Sequence, residues 1–219
     1  MELAVIYYSG LIDILDTPTE INGNGTKMWR NKEGKLHRDN DLPAVVINSG
    51  GGRLLWFQNG KLHRDNGPAA IYEGGEEWYK NGSRHRDDGP AMVWYNHDSH
   101  VYNNVCYASA KIREEWYQNG KLHREDGPAR TSYNSAGIAK KCYKNGLLHS
   151  YNDNPAVYIE NYAGTEVIMR WFKDGVLHRD NGPADYRSKG KVADWYKDGT
   201  MVCQVYDYVM GNRTKSAKK

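Results

Sequence analysis

A His-Arg-Asp triplet recurs along the chain and carries the residue types of a catalytic or anion-binding site. It occupies residues 37–39, 63–65, 85–87 and 178–180, and residues 123–125 read His-Arg-Glu. An imidazole beside a carboxylate can transfer protons, and a guanidinium can bind a carboxylate or phosphate through paired hydrogen bonds. Each copy could therefore serve as a site or as part of a repeated framework.

Repetition of the triplet favours the framework. The same three letters open the catalytic loop of protein kinases, but a kinase also needs a Gly-rich nucleotide loop and a metal-binding Asp-Phe-Gly, and this sequence shows neither. An element copied in every unit usually holds the units together. We therefore expect a non-enzymatic protein without a cofactor, in which the histidine packs on a tryptophan while arginine and acid bond the neighbouring turn or the next repeat.

The triplet belongs to a longer phrase, Trp-Tyr/Phe-x-Asn/Asp-Gly-x-Leu-His-Arg-Asp-x-Gly-Pro-Ala. Four copies fill nearly every position: residues 56–69, 78–91, 116–129 and 171–184. Two copies are looser, residues 29–44 and 142–156, and in the second of these Cys142 replaces the tryptophan and Ser150 the arginine. Residues 195–199 form a half-copy without the histidine. Spacings of 22 to 38 residues between successive histidines indicate an array of small supersecondary units.

The Asn-Gly or Asp-Gly pair in each copy predicts a tight β-hairpin, because both central residues of a type I′ turn need positive φ. A turn at Asn81-Gly82 places Trp78 opposite His85. The same register gives the predicted structural pairs Trp56 with His63, Trp78 with His85, Trp116 with His123, and Trp171 with His178. Positive φ is expected at Gly60, Gly82, Gly120 and Gly146, and at Gly34 in the three-residue loop of the first copy.

The fold class that follows is all-β, with tandem antiparallel β-hairpin repeats forming an elongated, twisted single-sheet solenoid. After each histidine an Asx-Gly-Pro turn leads into a further strand, since proline suits the start of a strand. Residues 1–25 are expected to form an N-terminal capping segment, 26–194 the six repeats, 195–210 a degenerate capping repeat, and 211–219 a basic tail.

The order aromatic, two or three residues, Gly, then His, as in residues 78–85, resembles the MORN family of hairpin repeats in its variant forms. The resemblance covers roughly residues 26–203, and it departs from the usual MORN pattern where arginine stands in place of the Gly after His. The His-Arg-Asp-x-Gly-Pro-Ala motif is also similar to repeats in uncharacterised proteins of large DNA viruses and bacteriophages. These resemblances imply a hairpin-repeat fold and a viral or phage setting.

Binding residues are expected in the longest insertion, between His85 and His123, because loops carry specificity while the scaffold holds them. The predicted set is His97, His100, Tyr102, Asn103, Asn104 and Tyr107. A zinc site using His97, His100 and Cys106 matches no common spacing, so no metal is expected. An alternative set is the row that grips an acidic partner or a phosphate: Arg38, Arg64, Arg86, Arg124 and Arg179.

The amino-acid composition limits the kinds of partner that the chain is expected to bind. The net charge is +3, of which four positive charges belong to residues 211–219, so the rest of the chain is nearly neutral. Nucleic-acid binding is therefore not expected, except weakly through the tail. Three cysteines without a CxxC motif indicate a reducing cytoplasmic setting, and no apolar run is long enough for a membrane span.

The preferred function is binding of a partner protein, such as a host defence protein that a viral or phage factor inhibits. The alternative is sequestration or modification of a nucleotide-like or other phosphorylated ligand. The sequence leaves the oligomeric state open.

Overall fold

The computed structural model describes residues 17–96 and 111–210, which are all-β. These residues form strands, turns and loops but no helix, so none of them provides a helix able to cross a membrane. The chain divides into two compact units, Met1–Leu122 (unit 1) and His123–Lys219 (unit 2). The predicted class of antiparallel hairpin repeats is confirmed.

The long strands of unit 1 form an antiparallel sheet in which each strand pairs with the next one in this series. The series is β1 (Glu20–Ile21), β2 (Lys27–Met28), β3 (Val45–Ile47), β4 (Arg53–Leu55), β7 (Ala70–Tyr72), β8 (Gly75–Glu77), β11 (Met92–Tyr95) and β12 (Lys111–Glu115). Small two-stranded hairpins interrupt the series between β4 and β7 and between β8 and β11. The sheet therefore grows by one pair of strands for each repeat.

Unit 2 repeats this construction with longer strands. Its series is β15 (Arg130–Asn134), β16 (Gly137–Lys141), β19 (Val157–Asn161), β20 (Val167–Arg170), β23 (Asp185–Arg187), β24 (Val192–Lys197) and β25 (Thr200–Val205). The half-copy at Trp195 lies inside β24, where the chain continues straight into the final strand pair instead of leaving the sheet.

The small hairpins are two-stranded sheets of their own. They are β5 (Phe57–Gln58) with β6 (Lys61–Leu62), β9 (Tyr79–Lys80) with β10 (Ser83–Arg84), β13 (Tyr117–Gln118) with β14 (Lys121–Leu122), β17 (Tyr143–Lys144) with β18 (Leu147–Leu148), and β21 (Phe172–Lys173) with β22 (Val176–Leu177). In the first copy, one bridge joins Arg30 and Leu36. The sequence had not predicted that these hairpins would be separate from the main sheet.

The predicted hairpin register is confirmed. Tyr79 pairs with Arg84, and the amide of His85 donates to the carbonyl of Trp78 at 3.1 Å. Equivalent bonds join His37 to Trp29, His63 to Trp56, His149 to Cys142 and His178 to Trp171, while Trp116 and His123 belong to different units. The turn residues have the expected left-handed conformation, for example Asn81 with φ 52° and Gly82 with φ 85°, and so do Gly34, Gly60, Gly120 and Gly146.

Each tryptophan is the residue at which the chain leaves the main sheet for the hairpin. The amide of Trp56 donates to the carbonyl of Ala69 across the main sheet, at 2.8 Å, and its carbonyl accepts from His63 within the hairpin. The same change of partner occurs at Trp29, Cys142 and Trp171. The amide of this residue is thus hydrogen-bonded in the main sheet and its carbonyl in the hairpin. This fixes the position of the hairpin at the end of the main strand.

The last alanine of the phrase is fully buried in all six copies: Ala44, Ala69, Ala91, Ala129, Ala156 and Ala184. In unit 1 a core cluster is formed by Trp29, Val46, Leu54, Trp56 and Ala69. In unit 2 Tyr186, Ala193 and Trp171 form the corresponding cluster, against which Trp195 and Tyr208 pack. The alanine leaves room for the tryptophans because its methyl group is the smallest side chain that still covers the sheet.

Candidate functional site

The Leu-His-Arg segment of one repeat is hydrogen-bonded to the turn of the following repeat. Between the second and third copies the bonds, donor first, are Asn81 N to His63 Nδ1 (3.1 Å), Gly82 N to Leu62 O (2.8 Å) and Arg64 N to Tyr79 O (3.3 Å). We call the junction that carries the histidine bond the clasp, and here two backbone bonds accompany that bond. It joins residues that are far apart in the repeat phrase, and it uses the two amides that a type I′ turn presents outward.

The histidine bond of the clasp occurs once for every complete copy of the phrase. The Nδ1 atoms of His37, His63, His85, His123, His149 and His178 accept from the amides of Asn59, Asn81, Asn119, Asn145, Asp174 and Asp198, at 3.1 to 3.3 Å. The repeated histidine is therefore a connector between repeats. This supports the structural role that repetition suggested.

The acid of the triplet orients the histidine. The Nε2 atom of His85 lies 3.1 Å from Asp87 Oδ1, and the corresponding distances are 3.1 Å for His37 with Asp39 and for His178 with Asp180. Because Nδ1 accepts an amide hydrogen, the ring proton must be on Nε2, where it donates to the carboxylate. The carboxylate thus selects the tautomer that the clasp needs.

The arginine of the triplet lies on the tryptophan ring of its own copy. The guanidinium carbon is 4.0 Å from the ring centroid for Arg64 on Trp56, and 3.7 to 4.1 Å for Arg38 on Trp29, Arg86 on Trp78 and Arg179 on Trp171. The sequence predicted that histidine would pack on tryptophan and that arginine would bond the neighbouring turn or the next repeat. The arginine side chains do bond neighbouring turns, as Arg86 does with Asp88. The structure also gives the ring contact to the arginine side chain, while the histidine side chain bonds the turn of the next repeat.

The fifth copy lacks both members of this stack. Cys142 stands where the other copies have tryptophan, and Ser150 where they have arginine. The Oγ of Ser150 instead accepts from the amide of Phe172 at 3.0 Å, and the ring of Tyr151 lies 4.9 Å from that of His149. The two positions change together, as expected for side chains whose main contact is with each other.

The first copy makes an additional contact with its successor. Its turn has two consecutive left-handed residues, Asn40 and Asp41, and the carbonyl of Asp41 accepts from Trp56 Nε1 at 2.9 Å. The carboxylate of Asp41 also receives two bonds of 2.8 Å from Arg64. The fifth copy repeats this arrangement through Asn152, Asp153, Trp171 and Arg179. The hydrogen bond from Arg179 lowers the pKa of the Asp153 carboxyl.

The predicted anion-binding row faces carboxylates throughout much of its length. Arg64 and Arg179 bind the aspartates just described, while Arg86 binds Asp88 at 2.8 Å and Arg124 binds Asp126 at 2.7 Å. These arginines lower the pKa values of Asp88 and Asp126. A phosphate would have to displace a carboxylate at each of these positions, so the geometry gives the row little capacity for a second anion.

Grooves beside the clasps of unit 1 are lined by the same residues. One groove of about 580 Å³ lies between the loop of Arg64 and Asp65 and the following segment that contains Trp78, His85 and Arg86. A second, of about 360 Å³, occupies the equivalent place one copy earlier. Several of the polar groups lining these grooves bond one another, among them Arg86 with Asp88, so the grooves follow from the joining of the repeats.

Two buried carboxylates in unit 1 precede tryptophans and were not singled out from the sequence. Glu77 is 4% exposed and accepts from Tyr79 Oη at 2.6 Å and from Arg84 at 3.0 Å. Glu115 is 1% exposed and accepts from Tyr117 Oη at 2.7 Å. Burial is the main reason that the pKa of Tyr79 is raised, and the hydrogen bond to Glu77 adds to it. Glu77 and Glu115 thus tie the hairpins that follow them to the main sheet.

The first turn of the array satisfies its own amides. The side-chain oxygen of Asn31 accepts from the amides of Glu33 and Lys35, both at 3.0 Å, and its carbonyl accepts from Gly34 at 2.9 Å. The other turns donate instead to the histidine of the preceding copy. The longer loop of the first copy therefore replaces a missing clasp.

An apolar patch lies at the end of the sheet of unit 2. In the main sheet β25 is the terminal strand, where it pairs with β24, and all six of its residues are exposed. The patch consists of Met201, Val202, Val205, Tyr206 and Val209, which are 37% to 67% exposed. We call it the β25 patch. The sequence had treated this segment as a cap, and its alternation gave no sign that both faces of the strand would be open.

The predicted loop residues, His97, His100, Tyr102, Asn103, Asn104 and Tyr107, lie outside the described residues, as does Cys106. Their role in binding stays a prediction. Within residues 17–96 and 111–210, no three histidine, cysteine or acidic side chains are grouped so that they could hold a metal ion.

Cys203 should react with thiol reagents faster than Cys142. Burial raises the pKa of the Cys142 thiol, while Cys203 is exposed on β25. Because the thiolate is the reactive form, we expect at least about a tenfold difference in rate near neutral pH. Single-cysteine variants that also carry Cys106→Ser, labelled with a chromogenic disulfide, measure the two rates. Equal rates would show that Cys142 is as accessible as Cys203.

The sequence matches no protein-family model and no curated protein. The resemblance to MORN repeats therefore rests on the repeated phrase alone.

Proposed function

We propose that the chain is a non-enzymatic repeat scaffold that binds a partner protein, and that the β25 patch is the main contact. The observation that carries this proposal is the concentration of exposed apolar side chains on and beside one terminal strand. Exposed apolar surface of this kind marks protein interaction sites, because water contact with it is unfavourable.

The backbone of β25 supports binding by strand addition. A terminal strand presents unpaired amide and carbonyl groups along one side, and an extended peptide can pair with them. The sequence of β25, Thr-Met-Val-Cys-Gln-Val, contains no charged residue and no proline to oppose such pairing. Strand addition would supply main-chain hydrogen bonds, and the patch would supply side-chain contacts.

A bulge at Val202 makes the strand selective. Trp195 pairs with Cys203 and Tyr196 with Met201, so Val202 has no partner in β24 and is 67% exposed. Bulges at sheet edges re-aim side chains and discourage indiscriminate pairing. A partner must therefore match regular pairing on Cys203–Val205 and accommodate the valine that projects beside it. We expect an extended, uncharged segment with β-branched or aromatic side chains.

The sequence pattern of the repeats suggests the source of the partner protein. Its similarity to repeats of large DNA viruses and bacteriophages supports a host protein, including a defence protein, as the bound molecule. The MORN-like scaffold would then serve to present the patch and the insertion between β11 and β12. The cytoplasm of the host is the compartment that this proposal requires.

Charge substitutions in the patch test the proposal. Val202→Lys with Tyr206→Lys places two charges on the patch without opening the core, because each residue is 67% exposed. Tyr162→Lys is the matched control, since Tyr162 is 68% exposed in unit 2 and lies outside the patch. A partner recovered from host lysate with the wild-type chain is purified and titrated against all three proteins. We expect the patch variant to bind at least about a hundredfold more weakly, and the control to bind like wild type.

A second variant tests whether the partner binds the β25 patch or the insertion between β11 and β12. Deleting residues 97–105 removes the predicted loop residues and no copy of the repeat. If this deletion abolishes binding while the patch variant binds normally, the loop is the contact and the assignment to β25 is wrong. If neither change affects the affinity of a partner that binds the wild-type chain, both surfaces are excluded.

A further inference from the structure

The six clasps fall into two chemical classes that differ in the residue whose amide binds the histidine. In four of them this residue is asparagine: Asn59, Asn81, Asn119 and Asn145. In the other two it is aspartate, Asp174 and Asp198, and its carboxylate oxygen also lies 3.0 Å from the same Nδ1 atom. Each class therefore offers a different partner to a proton on that nitrogen.

Protonation of the imidazole breaks the histidine bond of the clasp. The Nδ1 atom can accept an amide hydrogen only while it carries no proton of its own. In an asparagine clasp, the added hydrogen points at the amide hydrogen, and the bond is lost. In an aspartate clasp, the added hydrogen points at a carboxylate oxygen, and a charge-assisted bond replaces the one that is lost.

We propose that the array contains a graded acid switch: acidification opens the asparagine clasps of His37, His63, His85 and His123, while the aspartate clasps of His149 and His178 hold. All three clasps within unit 1 are of the asparagine class, and two of the three within unit 2 are of the aspartate class. Unit 1 therefore loosens first as the pH falls. The contact of one repeat with the next becomes a function of proton concentration.

The cleanest comparison is between His63 and His178, because their other charged neighbours match. His63 Nε2 faces Asp65 at 3.4 Å, and His178 Nε2 faces Asp180 at 3.1 Å. The attraction between imidazolium and this carboxylate is thus common to both sites and cancels in the comparison. The two sites then differ in the turn residue, which is Asn81 in the His63 clasp and Asp198 in the His178 clasp.

The remaining four histidines have the following carboxylate neighbours. Asp39 and Asp87 lie 3.1 Å from His37 and His85, and Glu125 lies 3.9 Å from His123. His149 has Tyr151 in place of the acid of the triplet, so Asp174 is its neighbouring carboxylate. These sites follow the same division by turn residue.

Hydrogen exchange of the turn amides tests the switch in the full chain. Histidine changes charge between about pH 5 and pH 8, so exchange is followed by NMR at both ends of this interval and corrected for the intrinsic rate. We expect the protection of the Gly82 amide, which donates to the carbonyl of Leu62 in the His63 clasp, to fall at least about fivefold on acidification, as for the loss of one hydrogen bond. The Gly199 amide donates to the carbonyl of Leu177 beside His178, and its protection should stay within about twofold, because the bond between imidazolium and carboxylate keeps this clasp closed. Equal losses at the two amides would overturn the proposal.

Exchanging the turn residues makes the test reciprocal. Asn81→Asp should remove the acid sensitivity of the His63 clasp, and Asp198→Asn should confer it on the His178 clasp. Both substitutions suit the backbone, because Asn81 and Asp198 have nearly the same left-handed φ, 52° and 49°. If acid sensitivity stays with the position instead of moving with the aspartate, the carboxylate does not control the switch and the proposal fails.

Discussion

Replacing Trp56 by alanine is expected to lower the free energy of unfolding of unit 1 by about 3–5 kcal/mol. The side chain is 3% exposed and packs in the core cluster with Trp29, Val46 and Leu54. Its Nε1 donates to the carbonyl of Asp41, which would be left unsatisfied at this position. Loss of the ring would also uncover the guanidinium of Arg64, which lies 4.0 Å above it.

Urea denaturation, combined with hydrogen exchange on peptides from residues 17–96, measures this loss in unit 1 and separates it from unit 2. Trp94→Ala is the control, because Trp94 is half-buried and stacks on Tyr72, with 5.5 Å between the ring centroids. We expect the control to cost about 1–2 kcal/mol. Equal losses for the two variants would show that the core position of Trp56 is not what stabilises the unit.

A double-mutant cycle isolates the stack itself. Trp56→Ala and Arg64→Ala should show a coupling energy of about 1 kcal/mol, the range of a partly desolvated cation–π contact. Additive effects would mean that the paired changes at Cys142 and Ser150 do not reflect this contact.

Replacing Gly137 by alanine should be the most disruptive single methyl addition in unit 2. Gly137 is buried at the start of β16, and a β-carbon there would overlap the carbonyl oxygen of Glu160 and lie 2.7 Å from the Cα of Asn161. The obstacle is the backbone of β19, which cannot rotate away as a side chain can. We expect a loss of about 3 kcal/mol, at the upper end for overpacked cores.

The melting temperature and the exchange rates of the β16 and β19 amides report this change. Gly23→Ala is a suitable control, since a β-carbon at Gly23 has no atom of the described residues within 4 Å. The control should stay within about 0.5 kcal/mol of wild type. A Gly137→Ala protein as stable as wild type would show that β16 and β19 can separate without cost.

Local features of the fold could be predicted from the sequence. The turn at Asn81-Gly82 follows from the positive φ that both residues tolerate, and once the turn is set, the pairing of Trp78 with His85 follows by counting. These conclusions need only neighbouring residues, which is why the same pairing is found at Trp56, Cys142 and Trp171. The separation of the small hairpins from the main sheet was missed, because it depends on Trp78 bonding Ala91 across the main sheet.

Which member of the triplet contacts the tryptophan, and which one bonds the next repeat, could not be predicted from neighbouring residues. Whether His63 or Arg64 lies on Trp56 depends on side-chain rotamers and on where the next repeat docks, and neither is encoded in the repeat period. One signal was present, however. The joint replacement at Cys142 and Ser150 pairs tryptophan with arginine, and read as a correlated change it would have identified the stack.

The β25 patch was missed for a different reason. A half-copy without histidine indicates that no further clasp is formed, but not whether the last strand is covered. Exposure of Val202 and Tyr206 depends on the absence of a neighbour in space, which no local pattern reports.

The forward direction of the clasps bears on how the protein can be synthesised. The Nδ1 atom of each of these histidines accepts from a turn amide that lies 18 to 34 residues later in the chain, and never from one that lies earlier. A chain emerging from the ribosome from its N-terminus can thus complete every junction soon after the next turn appears, and a finished portion never has to reopen. At any moment during translation, the most recent histidine is the one that still lacks its turn amide.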